Sequence, residues 1–124
     1  MQNQHQDTGV EEKTVREYYR LVDAEDVDGL LDLFADDAVY DRPGYPTMRG
    51  RSDLARFYGG ERVIAGGRHT LDRVVASTPQ IAVTGSFEGV LKDGSETRVR
   101  FADFFVLDGP RIVQRDTYFF APLV

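Results

Sequence analysis

The sequence predicts an α+β fold, in which three N-terminal helices are packed in the concave face of a curved antiparallel sheet that forms a cone around them. Three observations predict it. Apolar residues recur at helical spacing through the first half of the chain. Beyond Gly66-Gly67 the period changes to two. The second half is punctuated by Asp93-Gly94 and Asp108-Gly109-Pro110, turns that join strands lying side by side.

Residues 11–23 place Val15, Tyr18, Tyr19 and Val22 on one helical face, with Glu11 and Glu12 at the positive end of the helix dipole. A second helix is expected over 27–35, capped by Asp26 and buried through Val27, Leu30, Leu31 and Phe34. Residues 38–41 read as a short strand, stopped by the rigid loop Arg42-Pro43-Gly44-Tyr45-Pro46. Ser52 is expected to cap a third helix that turns Leu54, Phe57 and Tyr58 inward. Strands follow over 68–77, 80–91, 97–107 and 111–120. Ile81, Val83, Gly85 and Phe87 share one face of the second of these.

The length, 124 residues, suits a single domain, expected over 11–124 behind a disordered tail of residues 1–10. The net charge of -6 argues against a nucleic-acid partner, which calls for a basic stripe. No Cys is present, so thiolate chemistry is excluded. No apolar run approaches a membrane span and no signal-peptide pattern opens the chain, so a cytoplasmic protein without a membrane partner is expected. No metal site is expected either: beyond the tail His69 is the single histidine.

The strand over 97–107 carries Val99, Phe101, Asp103, Phe105 and Leu107 in phase. A carboxyl in such a row stays neutral or finds a partner. Asp103 is then a neutral acid that donates to a developing oxyanion, or one half of an ion pair with Arg115 on the neighbouring strand. Phe57, Phe87, Phe101, Phe105 and Phe119 either line a cavity for a flat hydrophobic ligand or fill a core. His69 is a proton relay or a structural hydrogen-bonding residue. The last strand has two parities: one buries Val113, Arg115, Thr117 and Phe119, the other Ile112, Gln114, Asp116 and Tyr118. No G-x-S-x-G, P-loop or G-x-G-x-x-G motif is present.

The stretch from Tyr18 to Asp41 (YYRLVDAEDVDGLLDLFADDAVYD), the Met48-Arg49-Gly50-Arg51 turn and Phe101 to Phe105 (FADFF) resemble the nuclear transport factor 2-like superfamily. Within it they are most similar to the SnoaL-type polyketide cyclase and ketosteroid isomerase branch. The resemblance implies an oxyanion-binding role for Tyr18, a protonated acid at Asp103, Arg115 and Thr117 turned inward, and a homodimer formed through the outer sheet face. Tyr18 is otherwise an aromatic core residue. The slot for the catalytic base holds Arg42, before Pro43, and the nearest carboxylate is Asp41. Asp41 is a general base or a turn residue. Arg42 binds an anionic group of the ligand or is a solvated loop charge. Epoxide hydrolases of this fold use an Asp-Arg-Asp set, for which Glu88 and Asp116 are the comparable acids.

The leading expectation is a cofactor-independent isomerase- or cyclase-like enzyme that moves a proton on a small hydrophobic carbonyl compound. Asp41 or His69 is the base, and Tyr18 and Asp103 hold the enolate oxygen. The alternatives are a non-catalytic small-molecule-binding module, or epoxide-hydrolase-like activation of water.

Overall fold

The computed structural model describes residues 9–120. Its elements are α1 (Val10–Asp23), α2 (Val27–Leu31), β1 (Phe34–Asp41), β2 (Met48–Arg49), α3 (Gly50–Arg56), a π-helical turn (Phe57–Glu61), β3 (Ile64–Ser77), β4 (Gln80–Leu91), β5 (Glu96–Asp108) and β6 (Arg111–Phe120). The strands form one curved sheet in the order β2-β1-β6-β5-β4-β3, with β2 and β3 left as edges. Every pairing is antiparallel except β1 with β6, which is parallel. The expected tail lies, for residues 1–8, outside the described residues, while Val10 already belongs to α1. Among the described residues no helix is long and apolar enough to cross a membrane.

α1 buries Val15, Tyr18, Tyr19, Leu21 and Val22 against β3, β4, β5 and β6. It ends in a Schellman turn: Asp26 N–H bonds to Leu21 O at 2.9 Å and Glu25 N–H to Val22 O at 3.1 Å. Glu25 takes the left-handed conformation there, at φ 59°. At its other end α1 is tied to the β5–β6 turn by Thr14 Oγ1, which donates to Pro110 O at 2.9 Å.

Asp26 caps α2 as expected, accepting from Gly29 N–H at 2.9 Å. The helix stops at Leu31 rather than 35. Gly29 weakens it, and sheet pairing takes over where Ile112 N–H donates to Leu33 O at 2.7 Å. Phe34 is fully buried as the first residue of β1, not as the last turn of a helix. α3 starts two residues before Ser52. Asp53 supplies the side-chain acceptor, taking Arg49 N–H at 2.9 Å, and Ser52 is exposed.

β4 and β5 bury the faces the alternation predicts. β6 uses both of its parities. Leu107 pairs with Ile112 and Val106 with Gln114, so Val113 is an extra residue on β6. Ile112 is buried before this bulge, and Arg115 and Thr117 after it. Asp116 therefore falls on the outer face.

Candidate active site

A cavity of about 260 Å³ opens between α1, the π-helical turn and the concave face of the sheet. Its deep end is polar. Arg115 is only 5% exposed and Asp103 not at all. Arg115 Nη2 donates to Asp103 Oδ2 at 2.8 Å, and the same carboxylate accepts from the Tyr19 and Thr117 hydroxyls. Tyr40 OH lies 3.0 Å from Thr117 Oγ1. Arg115 Nη1 donates to Tyr18 OH at 2.5 Å and to Tyr58 OH at 3.2 Å, and these two phenols also bond to each other.

This network decides between the two readings of Asp103. Three donors converge on it, one of them a cation, which is the geometry of an ionised acceptor rather than a neutral acid. The expectation of a protonated Asp103 facing a ligand gives way to a buried ion pair. Asp103 does not line the cavity; its partner Arg115 does. Burial works against the Arg115 charge, but the Asp103 carboxylate together with the Tyr18, Tyr40 and Tyr58 phenols outweighs it and holds the guanidinium above its usual range. Burial raises Tyr18 and Tyr19 well above the ordinary phenol range, so both stay protonated.

The cluster leaves donors over. Arg115 Nε is buried and has no hydrogen-bond partner among the described residues. The Tyr18–Tyr58 bond uses one of two phenolic hydrogens, since either hydroxyl donates to the other. A cation and a spare phenolic O–H at the end of an apolar cavity form a receptor for negative charge on oxygen.

His69 lines the same cavity from β3. Asp23, in the last turn of α1, accepts both the His69 backbone N–H at 2.8 Å and ring Nδ1 at 2.6 Å. The carboxylate at Nδ1 selects the Nδ1–H tautomer and leaves the Nε2 lone pair without a protein partner among the described residues. The ring is wedged against Phe87, Tyr19 and Phe101, with centroids 4.7, 5.2 and 5.5 Å away.

Apolar walls come from Phe57, Phe87, Phe101 and Phe119. Gly67 and Gly89, paired across β3 and β4, make room for the Phe87 ring: a Cβ on either would fall within 2.5 Å of its Cζ. Phe105 does not line the cavity. β5 leaves it after Phe101, and the Phe105 ring packs beneath the cluster, 5.9 Å from Tyr18.

Asp41 is also displaced from the expected site. Tyr40 points inward, so Asp41 takes the opposite face of β1 and accepts from Thr47 Oγ1 at 2.5 Å. Arg42 returns to the inward parity and lines the cavity. Glu88 is exposed beside Arg98, and Asp116 bonds the Gln114 side chain, so neither joins Arg115. Among the described residues no three His, Asp or Glu side chains cluster as metal ligands would.

Sequence reasoning missed Asp23, Tyr40 and Tyr58. Asp23 carried a signal: an acid in the last turn of a helix opposes the dipole, and it lies four residues beyond Tyr19 on the same face.

Comparison with solved structures gives the fold independently. An NTF2-like protein of unknown function from Burkholderia pseudomallei superposes with a TM-score of 0.83 at 22% identity, over 91% of this chain and 92% of that one. SalBIII, an epoxide hydrolase/cyclase-like enzyme in pyran ring formation in salinomycin, gives 0.79 at 19% identity, over 89% and 90%. A putative polyketide cyclase from Xanthomonas campestris gives 0.73 at 20%, over 88% and 89%. The NTF2-like structure thus shows a shared fold, while the family model described as SnoaL-like domain matches residues 15–115, and the protein belongs to that family.

Proposed function

We propose that this protein is a cofactor-independent acid–base enzyme of the isomerase or cyclase kind, acting on a small hydrophobic carbonyl compound. One observation carries the reading: His69, held from behind by Asp23, lines the same cavity as the Arg115–Tyr18–Tyr58 cluster. His69 Nε2 takes a proton from the carbon next to the carbonyl, and Asp23 stabilises the resulting imidazolium. Arg115 and the free phenolic O–H hold the enolate oxygen. Return of the proton to a different carbon completes an isomerisation; attack of the enolate carbon on a second carbonyl closes a ring, and the alkoxide formed there takes the proton back from His69. Asp103 positions Arg115 and does not touch the substrate.

The test is solvent-deuterium incorporation into flat cyclic ketones such as β-tetralone, followed by NMR. We expect exchange by the wild type, lowered about 10²–10⁴-fold in His69→Gln. Exchange that survives His69→Gln removes the assignment. A second reading, a binding module without chemistry, is favoured by Arg42 in the slot that the resemblance gives to the base. It becomes the better reading if ketones bind and none exchanges.

The same proposal includes a homodimer through the outer sheet face. Phe104, Tyr118 and Phe120 are 50%, 59% and 73% exposed on β5 and β6, and the Phe104 and Tyr118 rings meet edge to face at 5.9 Å.

A further inference from the structure

The charge of the cavity runs against that of the chain. The protein carries a net charge of -6. The cavity lining nevertheless contains Arg42, Arg62, Arg115 and His69, and no Asp or Glu. Asp103 neutralises Arg115. Among the described residues no carboxylate lies within ion-pair distance of Arg42 or Arg62. The contrast with the other arginines is informative. Arg51, also half-buried, pairs with Asp36 and donates to Phe34 O. Arg49, Arg68, Arg73, Arg100 and Arg111 also lack a carboxylate, but they are exposed to water. Among the described residues Arg42 and Arg62 are thus the two half-buried guanidinia without a carboxylate partner, and they share one cavity.

Both lie against aromatic rings. The Arg42 guanidinium carbon lies 5.1 Å from the Tyr45 centroid, 5.6 Å from Phe57 and 5.1 Å from Phe119. Its one hydrogen bond is a long one, to Pro43 O at 3.3 Å. Arg62 lies 6.0 Å from the Tyr58 centroid, and the Phe57 and Tyr58 rings that carry the two arginines are 5.0 Å apart. Stacking fixes the plane of a guanidinium and leaves its N–H edge for an oxyanion. Half-buried cations without a carboxylate partner gain most from an anionic guest.

We propose that Arg42 and Arg62 form a carboxylate receptor, and that the ligand of this cavity is a small hydrophobic acid. Its carboxylate sits at the Arg42–Arg62 end, and its flat body runs in between Phe57, Phe87 and Phe101 toward Arg115. This deepens the enzymatic reading above and relies on it for which end of the molecule reacts; the binding claim stands apart from catalysis.

The experiment compares matched acids and amides by calorimetric titration at low salt: cinnamate against cinnamamide, and naphthoate against naphthamide. We expect each acid to bind at least about tenfold more tightly than its amide. That preference collapses in Arg42→Gln/Arg62→Gln, while amide binding persists and reports an intact fold. If no acid outbinds its amide, including the case in which nothing binds, the inference is wrong. A preference that survives the double variant also overturns it, because the anion then sits at Arg115. His69→Gln should keep the preference for acids. Acid binding without proton exchange would remove the enzymatic reading and leave this one standing.

Discussion

Arg115 reaches Asp103 diagonally across the β5–β6 ladder. The residue opposite Asp103 is Thr117, and Arg115 itself lies opposite Phe105, yet Nη2 closes to 2.8 Å from the carboxylate. The bulge at Val113 makes this possible, because without the extra residue Ile112 and Arg115 would point to opposite faces.

Removing one partner strands a charge among buried side chains. We expect Asp103→Asn to lower stability by about 3–5 kcal/mol. Asp103→Leu combined with Arg115→Met should recover much of that loss, since similar-sized apolar pairs often replace buried ion pairs without penalty. Denaturant unfolding of both singles and the double closes the cycle. Additive effects would mean the two residues do not act as a pair.

Alkaline stability follows from the phenols. Burial raises Tyr18, Tyr19 and Tyr40 above the ordinary value near 10. Below pH ~10 both folded and unfolded chains hold these protons, and the stability is intact. Above it the unfolded chain releases them and the folded chain does not, so stability falls as pH rises. Phenolate absorbance should show these residues titrating only as the protein unfolds. Tyr40→Phe should flatten the alkaline slope; an unchanged slope would contradict the assignment.

Asp23 acts through His69 and gives a different signature from it. With Asp23→Asn the ring loses the acceptor that fixes its tautomer and steadies its positive form. We expect kcat for deuterium exchange to fall about 10–100-fold with KM little changed. A purely structural Asp23 would instead lower thermal stability and leave kcat of the folded fraction intact.

Much of the fold was legible because one period or one turn decides each element. The alternation through Val99, Phe101 and Asp103 and the Asp93-Gly94 turn fix β4 and β5 locally. Phe34 was misread because its helical spacing is genuine, and only pairing with Ile112, distant in sequence, draws it into β1. The site was less legible for the same reason. Asp103 announced itself as out of place, but its partner is Arg115, whose direction depends on a bulge that no local pattern marks. His69 was visible; its partner Asp23 meets it across 46 positions of chain.

The outer face offers a test of assembly. Phe104 and Phe120 lie on strands whose other faces form the core, so their exposure is not needed for folding. We expect the wild type to sediment as a dimer and Phe104→Lys/Phe120→Lys as a folded monomer. A monomeric wild type at micromolar concentration removes the dimer.

Among the described residues Glu25 is the one place where the backbone asks for another residue. It occupies the left-handed position of the Schellman turn that ends α1, at φ 59°, and its side chain is exposed. A Cβ in that conformation is strained by roughly 1–2 kcal/mol, and glycine is not. Glycine also gives the unfolded chain more freedom, which offsets part of the gain. The net effect of Glu25→Gly should be a stabilisation of about 0.5–1 kcal/mol, or about 2–5 °C in Tm. Glu25→Val, whose β-branch suits this region least, should shift Tm the other way. Because the turn sets the direction in which α1 delivers Asp23, proton exchange by Glu25→Gly should match the wild type; a loss of rate would mean that the turn, and not only the dyad, is tuned to the glutamate.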